Sequence, residues 1–389
     1  MADLFENDNQ LSPIESFAMT IAVRLSEMAP LQCSVAQTCG GCPLIGHSGE
    51  AAKSVKLATL REALEHTLGE SFATLPIRWV TRGSDSGYRC RVRLKVNRDG
   101  RIAFFNRDKS YDCAVLLPSL RTAVLEFMAF ANNDPIPFEE IEHLELRSPD
   151  LDGKIGLFLT MREASPHISD CLRARLAQLP KSWLWGSADP LLNVPQQRVA
   201  LANLYHFVPL NSFLQVNRRI NDCLIEDLRY RANALSIKSF CDLYSGAGNF
   251  SLPLLASGAE GLSVEYDGAA IAACQDAATA QGFHRGEFRQ GDAAAVAQHL
   301  LTAGRRFDLV ILDPPRAGAK NAIGVMGQLS RCALVYFSCN PLTLATDLLQ
   351  LQALGFAIES VTAYDMFEAT RHLETCVWLR APCAPSRRV

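Results

Sequence analysis

The run Asp242-Leu243-Tyr244-Ser245-Gly246-Ala247-Gly248-Asn249-Phe250 sets two glycines between a strand-like segment and a helical one. Glycines at such a turn let the backbone approach a ligand with no Cβ in the way. Glu265 ends the next strand-like segment, where a carboxylate accepts hydrogen bonds from both hydroxyls of a ribose. The arrangement suits an adenosine cofactor. A dinucleotide loop wants a third glycine at position 251, for close helix packing beside the pyrophosphate, and this chain has Ser251. The spacing fits S-adenosylmethionine better, because that ligand has no pyrophosphate. Asp292 follows a third predicted strand, where an acid reaches the adenine amino group.

Two further loops carry reactive groups. Asp313-Pro314-Pro315-Arg316 follows the apolar strand Phe307–Leu312, at the carboxyl edge where ligands of such sheets bind. Ser338-Cys339-Asn340-Pro341 follows the strand Ala333–Phe337, one strand along the same edge. A helix begins after Cys339, and a helix N-terminus favours thiolate over thiol. Glu374 precedes the final strand. A thiolate and a base suit one methyl-transfer problem. C5 of uracil is a poor nucleophile. Thiolate addition at C6 makes the ring an enolate, C5 takes the methyl group, and a base removes the C5 proton before the thiolate leaves. Transfer to an amino group needs neither residue, and the Asp313-Pro314-Pro315 loop alone is compatible with it.

The elements that must hold these residues alternate. Ser239–Leu243, 261–266, Phe307–Leu312, Ala333–Phe337, Ala357–Ala363 and Thr375–Leu379 read as strands with helices between, which predicts a mostly parallel, doubly wound α/β sheet. The first half reads differently. Val92, Leu94 and Val96 alternate with Arg91, Arg93 and Lys95, a strand with one apolar and one basic face, returning after Asp99-Gly100 as Ile102 to Phe105. Ile141–Arg147 and Ile155–Met161 form a second hairpin, and together these predict a small antiparallel domain. Ile14, Phe17, Ile21, Leu25 and Met28 have helical spacing and predict a short docking helix.

The chain has 389 residues, enough for two to three domains. With 48% apolar and 20% charged residues it is a folded protein rather than a disordered one. A net charge of −3 excludes a histone-like binder but not a local basic patch. No apolar run reaches about 18 residues, so no membrane span is expected. The N-terminus is acidic and polar, unlike a signal peptide, and thirteen cysteines then read as cytosolic thiols, some of them on a metal. A cytoplasmic monomer is expected.

Together, Gln215-Val216-Asn217, Asp242-x-Tyr244-x-Gly246-x-Gly248-Asn249, Asp313-Pro314-Pro315-Arg316, Ser338-Cys339-Asn340-Pro341 and His372-x-Glu374 resemble the bacterial RNA (uracil-5-)methyltransferases, over most of the chain from Cys33 to about Leu379. The resemblance implies that Gln215, Tyr244, Gly246, Asn249, Glu265, Asp292 and Asp313 hold S-adenosylmethionine, that Cys339 is the nucleophile and that Glu374 is the proton-abstracting base. Cys33-x5-Cys39-x2-Cys42 with the distant Cys113 is similar to the family's [4Fe-4S] ligand set; by spacing alone, four thiolates equally hold zinc. Cys90 reads as structural. These cysteines point to the ribosomal RNA enzymes of the family rather than the bacterial tRNA enzyme. About 32 residues before Cys33 are too few for the extra RNA-binding TRAM barrel that one of those enzymes carries, which points to the shorter, 23S-modifying branch.

RNA contact has its own signal. Ten basic residues lie between Ile77 and Cys113: Arg78, Arg82, Arg89, Arg91, Arg93, Lys95, Arg98, Arg101, Arg107 and Lys109, opposed by Asp85, Asp99, Asp108 and Asp112. Such an excess neutralises phosphates. Trp79, Tyr88, Phe104 and Phe105 among them are candidate stacking platforms for bases. The expected organisation is an N-terminal extension (1–30), an iron–sulfur loop and helix (31–76), a central β-rich RNA-binding domain (77–205) and a catalytic domain (206–389), acting on 23S ribosomal RNA. The rivals are a tRNA uracil methyltransferase, an amino-group methyltransferase and a non-catalytic, metal-containing RNA-binding module.

Overall fold

The structure is a computed structural model and describes residues 31–69, 72, 75–81, 87–104, 113–132, 138–163 and 167–382. The helix expected over 11–29, and the whole 1–30 extension, lie outside the described residues.

The cysteine loop contains one helical turn, α1 (Ala36–Cys39), and leads into α2 (Gly49–Leu68). Ser48 starts α2 by accepting a hydrogen bond from the Ala51 amide at 3.3 Å, a side-chain N-cap. Leu60 and Leu64, one turn apart, are buried in the core under the large sheet, and Lys56 on the preceding turn is buried as well. Strand β1 (Ile77–Val80) follows.

The next unit holds β2 (Arg91–Val96), β3 (Ile102–Phe104), α3 (Pro118–Asn132), β4 (Ile141–Arg147), β5 (Ile155–Met161), α4 (Asp170–Leu176) and β6 (Trp183–Ser187). Its sheet runs β3-β2-β4-β5-β6. Val92, Leu94 and Val96 are buried against α3, so the alternation seen in sequence is the pleat. One expectation is corrected: β6 pairs with β5 in parallel, because the chain returns through α4, the crossover that parallel pairing requires.

The remainder contains β7 (Gln196–Leu201), β8 (Leu204–Pro209), α5 (Arg218–Ala234), β9 (Ser239–Leu243), α6 (Ser251–Ala256), β10 (Glu260–Glu265), α7 (Gly268–Ala280), β11 (Gly286–Gln290), α8 (Ala293–Thr302), β12 (Phe307–Leu312), α9 (Ile323–Gly327), β13 (Ser330–Ser338), α10 (Pro341–Ala353), β14 (Ala357–Tyr364) and β15 (Glu374–Arg380). Eight strands form one sheet in the order β1-β14-β15-β13-β12-β9-β10-β11. All neighbours are parallel except β15, which runs antiparallel to both β13 and β14. The run Phe-Asp-Leu-Val-Ile-Leu of β12 is buried almost throughout, as a strand covered on both faces must be.

Two boundaries shift from expectation. β1 lies within the expected central domain (77–205), but it extends the large sheet beside β14. The β7–β8 hairpin falls within the same expected domain, yet Val199, Leu201 and Val208 belong to the core shared with α5, α6 and α7. Gln281, which caps the end of α7, ties it down, accepting from the Tyr205 amide at 3.2 Å and donating to the Tyr205 carbonyl at 2.8 Å. Its turn, Ala202-Asn203, has φ of 48° and 65°. That two-residue geometry normally carries glycine, so the hairpin is not legible from its turn residues.

Candidate active site

The glycine loop leaves β9 in a left-handed turn, with φ of 70° at Tyr244, 55° at Gly246 and 90° at Gly248. A Cβ on Gly248 would stand 2.5 Å from Cys274 Sγ and 2.9 Å from Leu252 Cγ, so this glycine is required for the loop to lie against α6 and α7. The amides of Tyr244 and Ser245 both donate to the Val264 carbonyl at 3.0 Å. Glu265 holds the loop from the next strand: Oε2 accepts from the Gly246 amide and Oε1 from the Asp267 amide, each at 2.9 Å. Tyr266 beside it is 77% exposed. Asp292 caps α8, its Oδ1 accepting from the Ala295 amide at 2.9 Å. Burial, and then the charge of Asp292, push the Tyr244 hydroxyl up to about 12.

Asn249 exchanges two hydrogen bonds with Asn221 of α5, at 2.7 and 3.1 Å. Asn217 begins that helix, its side chain accepting from the Ile220 amide at 3.3 Å. The asparagine of the Gln-Val-Asn triplet is thus a helix cap that brings α5, and with it the buried Gln215, to the glycine loop. Ser251, at the position where a dinucleotide loop wants glycine, donates to Asp242 Oδ2 at 2.5 Å and accepts from Ser263 Oγ at 2.8 Å.

Cys339, Asp313 and Glu374 come from three strands and meet at one edge. Asp313 follows β12, and Cys339 follows β13. Glu374 is the first residue of β15 and pairs with Tyr364, while Thr375 pairs with Ser338. Only a strand reversed against its neighbours starts where they end, and this brings Glu374 beside Cys339. Glu374 is 3% exposed. Burial, then the charge of Asp313, raise its carboxyl well above the usual range, with Arg316 opposing. Burial and then Asp242 push Asp313 up to about 7.

The expectation of a favoured thiolate is corrected. Burial and then the charge of Glu374 raise the Cys339 thiol, and Arg316, through its charge and a hydrogen bond to the sulfur, only partly offsets them. Arg316 lies in the Asp-Pro-Pro-Arg motif but has no site role legible in the sequence. Only its contact with Cys339 reveals it. Its carbonyl is held by Asn340 Nδ2 at 3.0 Å and Thr343 Oγ1 at 3.2 Å. Asp347 fixes the far end of the loop, accepting from the Ala319 amide at 2.8 Å and from the Tyr336 hydroxyl at 2.5 Å.

Cys33, Cys39, Cys42 and Cys113 line a single cavity of about 40 Å³. Burial, then Cys113, push the Cys42 thiol up to about 11, with Arg89 opposing. Among the described residues no three His, Cys, Asp or Glu side chains gather as one metal ion would need. Cys90 is fully buried and its thiol donates to the Gln215 carbonyl at 3.2 Å, in line with the structural reading.

The basic stretch is less free than its sequence implied. Arg78 is paired with Asp227 on α5. Arg91 bridges Glu145 at 2.9 Å and lies 4.9 Å from the ring centroid of Phe213, which is 62% exposed. Tyr88 is not a stacking platform: it is buried, and its hydroxyl donates to the Glu368 carbonyl at 2.9 Å. Trp79 and Phe104 are partly buried against the two cores. Arg93 remains exposed on β2. Arg82, Arg107, Lys109 and Phe105 lie outside the described residues.

The comparisons with known proteins agree with one another. Residues 298–382 match the family model for tRNA (Uracil-5-)-methyltransferase. The chain is 30% identical over 369 residues to the Pseudomonas aeruginosa 23S rRNA (uracil(1939)-C(5))-methyltransferase RlmD, covering 90% of this chain and 80% of that protein. It is 31% identical over 369 residues to the Aeromonas salmonicida protein of the same name, covering 90% and 82%. The Pyrococcus abyssi tRNA (uracil-54, C5)-methyltransferase, solved with S-adenosyl-L-homocysteine, shares the fold with a TM-score of 0.65 at 22% identity, over 84% of this chain and 83% of that one. With α/β methyltransferase architecture and relatives of this identity over this length, the chain belongs to the RNA (uracil-5-)methyltransferase family.

Proposed function

We propose that this chain transfers the methyl group of S-adenosylmethionine to C5 of a uracil in 23S ribosomal RNA, with Cys339 as nucleophile and Glu374 as base. The observation that carries the reading is the meeting of Cys339, Glu374, Asp313 and Arg316 at the edge where the glycine loop also opens. The cofactor supplies an electrophilic methyl group on a sulfonium. The left-handed glycine loop, the Glu265 carboxylate and the exposed Tyr266 ring fit its adenosine end, with Gln215, Tyr244, Asn249, Asp292 and Asp313 around it.

Arg316, hydrogen-bonded to the sulfur, stabilises the Cys339 thiolate once its proton has passed to solvent. The thiolate bonds to C6 of the uracil, the electron pair of the C5–C6 double bond moves into an enolate, and C5 then takes the methyl as the methyl–sulfur bond breaks and its electron pair stays on the departing neutral thioether. Glu374, in its ionised form and with the high proton affinity that burial gives it, then accepts the C5 proton, the double bond re-forms and the Cys339–C6 bond breaks. The uracil must first leave its stack to reach Cys339. The β2–β6 unit, with its outward Arg93 and the Arg91–Phe213 pair, is the proposed RNA-facing part.

Cys33, Cys39, Cys42 and Cys113 are proposed to hold a [4Fe-4S] cluster. The four thiols line one cavity; four thiolates suit a cluster or a zinc ion alike, and the likeness of their spacing to the family's ligand set favours the cluster. Brown protein from anaerobic purification, with about four iron and four sulfide per chain, is expected; stoichiometric zinc without sulfide would overturn it. Within the family, the shorter 23S branch, RlmC, is proposed beside relatives that carry the RlmD name.

The test is a methyl-transfer assay on unmodified 23S rRNA and on tRNA, with products mapped by nuclease digestion and mass spectrometry. A 5-methyluridine at one 23S site supports the reading. Methylation of tRNA alone removes the substrate assignment but keeps the chemistry. Activity surviving Cys339→Ala would replace the covalent route by amino-group transfer.

A further inference from the structure

Residues 365–373 join β14 to β15 and deliver Glu374 to the edge. Three consecutive carbonyls of this loop are taken by donors from the first quarter of the chain. Lys56 Nζ donates to Phe367 at 3.0 Å, the Tyr88 hydroxyl to Glu368 at 2.9 Å, and the Leu44 amide to Ala369 at 2.9 Å. Leu44 is two residues past Cys42. Lys56 is wholly buried and also pairs with Asp365. Between these ties Ala369 has φ of 60°, a left-handed conformation that a residue with a Cβ adopts only when its surroundings hold it there. Beyond the clamp, Thr370 Oγ1 accepts from the His372 amide at 3.2 Å, leading directly into Glu374.

We infer that Lys56, Tyr88 and the backbone of Leu44 form a clamp by which the cysteine segment and α2 position the proton-abstracting base, so that Lys56 is a positioning residue for the last step of the reaction rather than for the first. The inference rests on the assignment of Cys339 and Glu374 above. It gives the cysteine segment a defined mechanical role: it is one jaw of the base loop.

The steps can be separated with RNA carrying 5-fluorouracil at the target. Cys339 adds to C6 and C5 takes the methyl as before, but C5 then bears fluorine in place of a proton, so the base has nothing to remove and the enzyme–RNA bond persists. Adduct formation on this RNA reports every step before Glu374 acts; turnover on ordinary RNA includes it. The experiment compares the full-length wild type, Lys56→Met and Tyr88→Phe. Tyr88→Phe frees the Glu368 carbonyl without leaving a buried charge unpaired, and so guards against a folding failure in Lys56→Met. In both variants adduct formation on fluorinated RNA is expected within about threefold of wild type. Turnover on ordinary RNA should fall about tenfold to a hundredfold, the cost of displacing a reacting group by about an ångström, with methylated covalent complex accumulating. Adding Ala369→Gly to Lys56→Met, which removes the backbone strain, should restore part of the turnover. Equal loss of adduct formation and turnover, or loss of neither in Tyr88→Phe, overturns the clamp. Absence of any adduct with the wild-type protein instead overturns the covalent reading on which it rests.

Discussion

Asp242 offers a magnitude that can be worked through. It lies on β9 just before the glycine loop and is wholly buried. Oδ2 accepts from Ser251, while Oδ1 finds no hydrogen-bond partner. Burial, with a smaller contribution from the charge of Glu265, pushes its carboxyl from the ordinary 3.8 up to about 7. Between those two pH values the folded chain keeps a proton that the unfolded chain has released. Stability therefore falls with rising pH by about 1.4 kcal/mol per unit. The contribution is full below pH 3.8 and lost as pH passes about 7, a swing of about 4 kcal/mol over the roughly three units. Asp242→Asn keeps an oxygen for Ser251 and never ionises. Urea unfolding of both proteins at closely spaced pH values is the assay. The variant should gain about 4 kcal/mol on wild type between pH 4 and pH 8. Because Asp242 also raises Asp313, the low-pH limb of methyl transfer should move to lower pH in the variant. A wild-type–variant difference flat within about 1 kcal/mol across that range would refute the reasoning.

Glu374→Gln should lower turnover by about 10²–10⁴, the usual weight of a positioned base, and leave a methylated enzyme–RNA adduct on a denaturing gel; normal turnover would remove Glu374 from the mechanism. Gly248→Ala forces a Cβ to 2.5 Å from Cys274 Sγ at a φ of 90°, and should cost about 2–4 kcal/mol in thermal or urea unfolding. Cys42→Ser should abolish stoichiometric iron in anaerobically purified protein, whereas Cys90→Ser should retain it; equal iron in both would contradict the four-cysteine set.

The expected strands fall where their apolar runs are, because fully covered strands show continuous hydrophobicity and the β2 strand shows its pleat as alternation. Gly246 and Gly248 were legible as a ligand loop because few residues other than glycine tolerate those φ values. The family resemblance assigned Cys339 and Glu374 to one reaction, but their meeting at one edge depends on the antiparallel sense of β15, which is invisible in a short apolar run. The β7–β8 hairpin was missed because Ala202-Asn203 carries no glycine. The state of Cys339 was misjudged because a helix N-terminus can be read from Asn340-Pro341, whereas burial and the facing Glu374 cannot. The stacking role expected of Tyr88 failed for a like reason: an aromatic beside arginines looks the same in sequence whether it meets solvent or the Glu368 carbonyl. Local chemistry and backbone preference are written in nearest neighbours along the chain. Desolvation, charge coupling and the Lys56–Asp365 contact, 309 residues apart, depend on distances that only the folded chain sets.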